Sequence, residues 1–173
     1  FGDEQQLLKI LPQKKLTRHR ITIVHANDVV TMQDDPVQAL RHKKDSSMWR
    51  AIEQLKDGRA DACVSAGNTG ALLAIGKYLL KTFSGVERPA ICKAMPVERG
   101  QTYLLDLGAN TQCSPENLHE FALMGNVLAS ADSKNPRIAL LNIGTESIKG
   151  TDIIRSAQAL LQADTSLNYV GYV

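Results

Sequence analysis

The chain has 173 residues, of which 43% are hydrophobic, 22% are charged and 5% are aromatic. These values predict one soluble α/β domain over residues 1–173, and no apolar run is long enough to cross a membrane. The formal net charge of +2 is too small to predict nucleic acid as a partner.

In chain order, short apolar runs alternate with helical segments. Asp3 can cap a first helix, and the β-branched residues 21–24 predict a strand. Pro36 opens a short helix, and Ser46 or Ser47 caps another. The remaining predicted elements are strands over 62–65, 90–94, 103–107, 138–141 and 169–173, and helices over 69–81, 115–130 and 151–162.

The order of these elements predicts the fold class. Strands that are separated by helices of about ten or more residues indicate βαβ crossovers. The sequence therefore predicts an α/β fold with a mostly parallel sheet, in which the strands over 90–94 and 103–107 form a hairpin-like pair.

Three of the predicted strands end in the same way, with a polar residue followed two positions later by glycine. These first, second and third loops read VSAGNTG at 64–70, LDLGANT at 105–111 and LNIGTES at 141–147. Because the carboxyl ends of parallel strands meet at one sheet edge, where α/β proteins bind ligands, we expect the loops to converge on one crevice.

The first loop favours a phosphate-like anion. Gly67 and Gly70 allow backbone N–H groups to approach a ligand closely, and a helix beginning at Thr69 directs its positive end to the same place. Asn68 and Thr69 add neutral donors, and Ser65 joins them as a candidate contact. The loop is neither a Walker loop nor a GxGxxG fingerprint, and the alternative is that its glycines only form a turn.

Three charged residues in or beside the second and third loops are candidates for chemistry. Lys149 can reach the crevice as a compact positive charge, or it can be a solvated lysine at a turn. Asp106 and Glu146 lie at strand ends, where they can act as bases or orienting groups, or can cap helices or pair with lysine.

The cysteines and histidines indicate neither a disulfide framework nor a metal site. Three cysteines without paired spacing suit a reducing cytoplasm, and the sequence has no CxxC pair. Cys63 lies within a predicted strand, and Cys113 has no histidine close to it in sequence. Neither cysteine is therefore favoured as a nucleophile.

Two basic clusters, at 14–20 and 41–44, read most simply as solvated faces. The functional alternative is a docking surface for an acidic protein, which would be sensitive to salt. Aromatic residues do not interleave with these charges, which weakens a nucleic-acid interpretation.

The three loops, together with Lys149 and Gly150, closely resemble the bacterial phosphate acyltransferases of phospholipid synthesis, also called acyl-acyl carrier protein–phosphate transacylases. Further similar motifs are KDSSM at 44–48, ERPA at 87–90 and FALMG at 121–125. The family's amino-terminal strand with its Met-Gly-Gly-Asp loop, and its carboxyl-terminal part, are absent from these 173 residues. We therefore expect the chain to be a fragment of a longer protein.

The resemblance implies a Rossmann-like αβα sandwich related to isopropylmalate dehydrogenases and phosphotransacetylases. It implies transfer of a fatty acyl group from acyl carrier protein to inorganic phosphate, without a cofactor. The acyl phosphate product would serve a membrane glycerol-3-phosphate acyltransferase. The resemblance also implies that the full-length protein is a cytoplasmic homodimer with peripheral membrane association.

On this resemblance, the backbone from Gly67 to Gly70 and the side chains of Asn68 and Thr69 hold phosphate. Lys149 offsets charge, Asn110 orients the acyl carbonyl or the pantetheine arm, and Asp106 completes the catalytic candidates. The other candidates for binding phosphate or substrate are Ser65, Gly108, Gly144, Thr145 and Glu146.

Three alternative functions are consistent with parts of the sequence. A short-chain phosphotransacetylase would use coenzyme A in place of carrier protein. A fragment that binds an anion without catalysis would keep the loops alone. An NAD-dependent dehydrogenase shares the architecture, but it requires a dinucleotide fingerprint that the sequence lacks.

Overall fold

The computed structural model describes residues 1–13, 20–98, 100–108, 110, 112–144 and 150–173. They form two compact units, Phe1–Phe83 (unit 1) and Ser84–Val173 (unit 2). The helices are α1 (Glu4–Gln13), α2 (Pro36–His42), α3 (Ser47–Lys56), α4 (Thr69–Leu80), α5 (Pro115–Ala129) and α6 (Asp152–Ala163). The strands are β1 (Cys92–Pro96), β2 (Gln101–Leu105), β3 (Arg137–Leu140) and β4 (Asn168–Tyr172). None of the helices among the described residues combines the length and apolar character that a bilayer span requires.

The helices of unit 1 begin where the sequence places their caps. Asp35 Oδ1 accepts from the backbone N–H groups of Val37 and Gln38, at 2.9 Å in each case, and opens α2. Ser46 Oγ accepts from Trp49 N at 3.3 Å and opens α3. Each bond satisfies a first-turn N–H group that has no partner within its own helix, so these helix starts follow from local sequence.

One face of α4 supplies the centre of the core of unit 1. Ala71, Ile75 and Leu79 are spaced four apart and are buried there. The ring of Trp49 on α3 lies 5.8 Å from that of Tyr78, measured between centroids. The core also includes residues of α2, α3 and the segment before α2: Val30, Ala39, Met48 and Ile52. This packing fixes the beginning of α4, and with it the first loop.

Two strands that the sequence predicts in unit 1 are not formed in the described structure. Residues 21–24 and 62–65 lie outside any strand, and the pairing outside named strands is confined to isolated bridges, such as Gly2 with His25. Val64 is 97% exposed. A β-strand requires a hydrogen-bonded neighbour, and apolar composition does not supply one, so both expectations are wrong for the described residues.

Unit 2 contains a hairpin and a crossover. The strands β1 and β2 pair antiparallel, as the hairpin-like prediction requires, and β3 and β4 pair parallel with α6 between them. Helices α5 and α6 pack on the second pair through a core of Leu140, Ala157, Leu161 and Leu167. Ser114 forms a capping box at the start of α5, and Thr151 caps α6.

This architecture confirms the α/β class. The described strands form one antiparallel and one parallel pair. The mostly parallel, Rossmann-like sandwich therefore stays a prediction for the chain as a whole. So does its organisation as one domain.

Candidate functional site

The first loop is held by the side chain of Asn68, which is 7% exposed. Its Oδ1 accepts from Ala71 N at 3.0 Å and caps α4. Its Nδ2 donates to Thr31 O at 3.1 Å and to Asp34 O at 2.9 Å. Asn68 therefore fastens the turn over 31–34 to the start of α4, and its donors are engaged within the protein.

The two glycines of the first loop allow close packing. A methyl group at Gly70 would lie 2.8 Å from Cγ of Pro36, closer than two carbon atoms can pack. One at Gly67 would lie 3.2 Å from Cε of Met48. Gly67 N also donates to Ser65 Oγ at 3.2 Å. Thr69, the first residue of α4, is exposed, so the opening of this helix is accessible to solvent.

The second loop is organised around the carboxylate of Asp106. Oδ1 accepts from Asn110 N at 3.2 Å and from Asn110 Nδ2 at 2.9 Å, while Oδ2 accepts from Cys113 Sγ at 3.2 Å. Asp106 has a φ of 60°, a left-handed conformation that aspartate tolerates better than most residues. Gly108, with a φ of 83°, donates its N–H to Asp106 O at 2.9 Å and completes the turn.

These contacts define what Asp106 and Asn110 do in the described structure. Both oxygens of Asp106 accept from neighbouring donors, so the carboxylate shapes the loop. Asn110 Nδ2 donates to Pro89 O at 3.2 Å as well as to Asp106, which ties the second loop to the segment before β1. Together, the two side chains hold the turn after β2 in place.

The third loop is described over residues 141–144, and the description resumes at Gly150. Asn142 Nδ2 donates to Gly144 O at 3.1 Å. A methyl group at Gly150, which has a φ of 95°, would lie 2.6 Å from Asn142 Oδ1, so both the backbone conformation and the space require glycine. Thr145, Glu146 and Lys149 lie outside the described residues, and their predicted roles stay predictions.

The residues that follow the second and third loops line one cleft in unit 2, of about 760 Å³. One wall consists of Glu87 and Arg88, which precede β1. The other walls consist of residues at the beginnings of α5 and α6: Gln112, Cys113, Ser114, Asn117, Leu118, Thr151, Ile153 and Ile154. The cleft combines polar groups with an apolar side. No group of three or more potential metal ligands occurs within the described ranges.

The sequence reasoning did not single out Arg88 or Asn117 as site residues. Arg88 Nη1 donates to Gln112 O at 3.1 Å, and the buried Asn117 donates to Glu87 Oε2 at 3.0 Å. Both contacts join segments that are 24 to 30 positions apart in the chain. In the sequence, Arg88 lies in the ERPA motif at 87–90. This motif supports the family resemblance but does not by itself assign a role to Arg88.

The basic cluster at 41–44 contributes in part to the structure of unit 1. Lys43 Nζ donates to Val29 O at 2.6 Å and to Asp34 Oδ2 at 2.7 Å, so this charge is used inside unit 1. Arg41, His42 and Lys44 are exposed. The cluster at 14–20 falls mostly outside the described residues.

Cys113 is a poor nucleophile in this environment. Burial, together with its hydrogen bond to Asp106, raises the pKa of the Cys113 thiol to about 11. At pH 7.5 roughly one such thiol in 3,000 is ionised. The environment therefore disfavours acyl transfer through this cysteine.

We predict that iodoacetamide labels Cys113 at least about 30-fold more slowly than the exposed Cys92 at pH 7.5, because the thiolate is the reactive form. Labelling of Cys113 should accelerate as the pH approaches its pKa. Mass spectrometry of single-cysteine variants, each with the other cysteines changed to serine, measures both rates. Equal rates at pH 7.5 would contradict the raised pKa.

The sequence model of the family described as "Fatty acid synthesis protein" matches residues 1–173. A phosphate acyltransferase of Cellvibrio japonicus (strain Ueda107) is 59% identical over 175 residues, which cover 99% of this chain and 52% of that protein. A phosphate acyltransferase of Janthinobacterium sp. (strain Marseille) is 54% identical, over 99% of this chain and 49% of that protein. One of Pseudomonas fluorescens (strain Pf0-1) is 52% identical, over 95% and 49%.

The chain thus spans about half the length of the curated relatives it matches. The family model extends over both units, including the first loop in unit 1 and the cleft in unit 2. Because this match covers every residue from 1 to 173, the chain belongs to the family of fatty acid synthesis proteins.

Proposed function

We propose that the chain is part of a phosphate acyltransferase that transfers a fatty acyl group from acyl carrier protein to inorganic phosphate. The observation that carries this proposal is the similarity to proteins named phosphate acyltransferase, which covers 99% of the chain at up to 59% identity. The cleft that follows the second and third loops supports it, because polar groups and an apolar wall suit an anion beside an acyl thioester.

The reaction needs no covalent enzyme intermediate. A phosphate oxygen attacks the thioester carbonyl carbon, a carbon–oxygen bond forms, and the carbon–sulfur bond breaks to release the carrier thiol and acyl phosphate. The protein must hold phosphate next to the carbonyl group and stabilise the oxyanion of the tetrahedral intermediate. It must also offset the negative charge of the phosphate, since like charges would otherwise accumulate in the site.

We infer that the first loop contributes backbone amides to anion binding within unit 1. The Nδ2 of Asn68 is engaged by the turn over 31–34, so its side chain positions the loop. The amides of Thr69 and Gly70 lie in the first turn of α4, where N–H groups lack intrahelical acceptors. With the Thr69 hydroxyl, they provide donors suited to a phosphate oxygen.

In the second loop we assign Asp106 a positioning role. Its carboxylate accepts three hydrogen bonds from Asn110 and Cys113 at the carboxyl end of β2, and these contacts favour a positioning role over that of a base. Asn110 would then help to place the acyl carbonyl or the pantetheine arm. Lys149, Thr145 and Glu146 of the third loop complete the proposal, with Lys149 as the cation.

We further infer the setting of the full-length protein from the resemblance. It is a cytoplasmic homodimer with a Rossmann-like sandwich that associates peripherally with the membrane. It passes acyl phosphate to a membrane glycerol-3-phosphate acyltransferase. The exposed charges of Arg41, His42 and Lys44 suit docking of an acidic carrier protein, and such docking should weaken as salt is raised.

A comparison of two acyl donors tests the substrate class. We expect phosphate-dependent thiol release from fatty acyl carrier protein to exceed that from acetyl-coenzyme A by at least about tenfold in kcat/KM, because only the first donor offers a long chain and a protein surface. The assay uses the Cellvibrio japonicus enzyme with its matching segment replaced by these 173 residues. A preference for acetyl-coenzyme A would instead indicate a short-chain phosphotransacetylase.

A further inference from the structure

Arg88 is the one cation among the described residues that line the cleft of unit 2. Its side chain is 42% exposed, so the guanidinium is accessible from the cleft without being fully surrounded by water. A binding site for a multiply charged anion needs positive charge within contact distance. Among the described residues of the cleft, Arg88 alone supplies it.

The position of Arg88 is fixed at two points along the chain. Its Nη1 donates to Gln112 O at 3.1 Å, and the carbonyl of the next residue, Pro89, accepts from Asn110 Nδ2 at 3.2 Å. These bonds connect the segment before β1 to Asn110 in the second loop and to Gln112, which follows that loop. A planar guanidinium that is already held in place loses less conformational freedom when it binds an anion.

Glu87 pairs with one edge of the Arg88 guanidinium. Arg88 Nε lies 3.6 Å from Glu87 Oε1, and the other oxygen of Glu87 accepts from Asn117 Nδ2 at 3.0 Å. Arginine has five N–H donors in a planar fork, and Nη1 and Nε account for the contacts described here. Within the described residues, the two N–H groups of Nη2 are left to donate to oxygens of an anion.

The rest of the cleft suits a phosphate that meets an acyl donor. Ser114 and Thr151 place the beginnings of α5 and α6 at the cleft, which adds positive potential near its polar side. Ile153 and Ile154 provide an apolar wall on the other side. An apolar boundary lowers the local dielectric and strengthens the attraction between a guanidinium and a phosphate.

From this arrangement we propose that Arg88 binds the phosphate substrate in the cleft of unit 2, an assignment that rests on the proposed phosphate acyl transfer. Arg88 contacts phosphate directly, and Gln112 and Asn110 hold the arginine segment against the second loop. Glu87 lowers the affinity for phosphate, because its negative charge repels that of the ligand.

Titration of the 173-residue chain with inorganic phosphate at constant ionic strength, followed by calorimetry, tests the assignment. Arg88→Gln should weaken phosphate binding at least about tenfold, whereas Glu87→Gln should strengthen it about two- to threefold. Arg59→Gln is the matched control, because Arg59 also pairs with a nearby carboxylate but lies in unit 1. The control should bind phosphate as the unmodified chain does.

A second measurement on the unmodified chain avoids dependence on the folding of a variant. Phenylglyoxal modifies accessible arginines, and mass spectrometry locates the products. Saturating phosphate should slow modification of Arg88 at least about fivefold and leave Arg59 unaffected. This protection would support the assignment even if Arg88→Gln failed to fold.

Two results would overturn the assignment. One is phosphate binding by folded Arg88→Gln within about twofold of the unmodified chain, with no protection of Arg88. The other is that the unmodified chain does not bind phosphate at about 10 mM, because a dissociation constant above that concentration would be too weak for a substrate site. Neither result decides the proposed function, which fails separately if the chimeric enzyme forms no acyl phosphate.

Discussion

Replacing Asn68 with alanine is expected to lower the free energy of unfolding of unit 1 by about 3 kcal/mol. The change removes the cap of α4, which costs about 1 kcal/mol. It also removes the hydrogen bonds that Asn68 Nδ2 donates to the carbonyl oxygens of Thr31 and Asp34, at about 1 kcal/mol each. Urea denaturation followed by fluorescence measures the loss, because Trp49 is the single tryptophan of the chain and is buried in unit 1.

Two further variants separate the components of this effect. Asn68→Ser keeps a capping oxygen but lacks the amide donors, so it should recover only the cap contribution. Asp35→Ala removes the cap of α2, which also lies in unit 1, and it should cost about 1 kcal/mol. An Asn68→Ala loss no larger than that of Asp35→Ala would show that the bonds to the turn over 31–34 contribute little.

Replacing Lys149 with alanine in the Cellvibrio japonicus chimera is expected to lower turnover at least about a hundredfold. The reason is that the proposed transition state places negative charge on both phosphate and the carbonyl oxygen, and removing a charge-stabilising group from such a site costs about this much. Initial rates at varied phosphate concentration give kcat and KM separately. Lys134→Ala, which removes an exposed lysine between α5 and β3, is the control and should retain normal turnover.

The division between kcat and KM decides the role of Lys149. A large fall in kcat would place the lysine at the reacting atoms, whereas a higher KM for carrier protein with unchanged kcat would make it a docking residue. Turnover within about threefold of the unmodified chimera would remove Lys149 from the site.

The helix starts could be predicted because their causes lie within a few residues of sequence. Ser46 caps α3, Pro36 is the first residue of α2, and α5 begins at residue 115, each as the sequence predicts. The hairpin of β1 and β2 follows from two strand-like runs close together in the chain. These features depend on local propensity, which a single sequence contains.

Features that depend on distant partners could not be predicted in the same way. Residues 62–65 have the composition of a strand, but they pair with no strand in the described structure. Composition is a local property, whereas a β-strand also needs a hydrogen-bonded neighbour. Asn68 was expected to donate to an anion, and in the structure it donates to carbonyls 34 to 37 positions earlier. The contact between Arg88 and Gln112, just after the second loop, likewise joins segments that sequence spacing does not bring together.

Among the glycines, some roles could be predicted from the sequence and others could not. Gly67 and Gly70 were expected to admit a ligand to the backbone, and the structure shows that they also admit Met48 and Pro36. Gly108 has a left-handed conformation, as a tight strand-end turn requires. Packing and ligand approach demand the same small residue, so sequence alone does not distinguish these roles.

The most direct test of phosphate acyl transfer is to follow radiolabelled inorganic phosphate into acyl phosphate. The Cellvibrio japonicus chimera would be given fatty acyl carrier protein and labelled phosphate, and both acyl phosphate and free carrier thiol would be quantified. We expect one labelled acyl phosphate for each thiol released, with a rate that rises and saturates with phosphate. Thiol release that is independent of phosphate and yields free fatty acid would contradict this expectation.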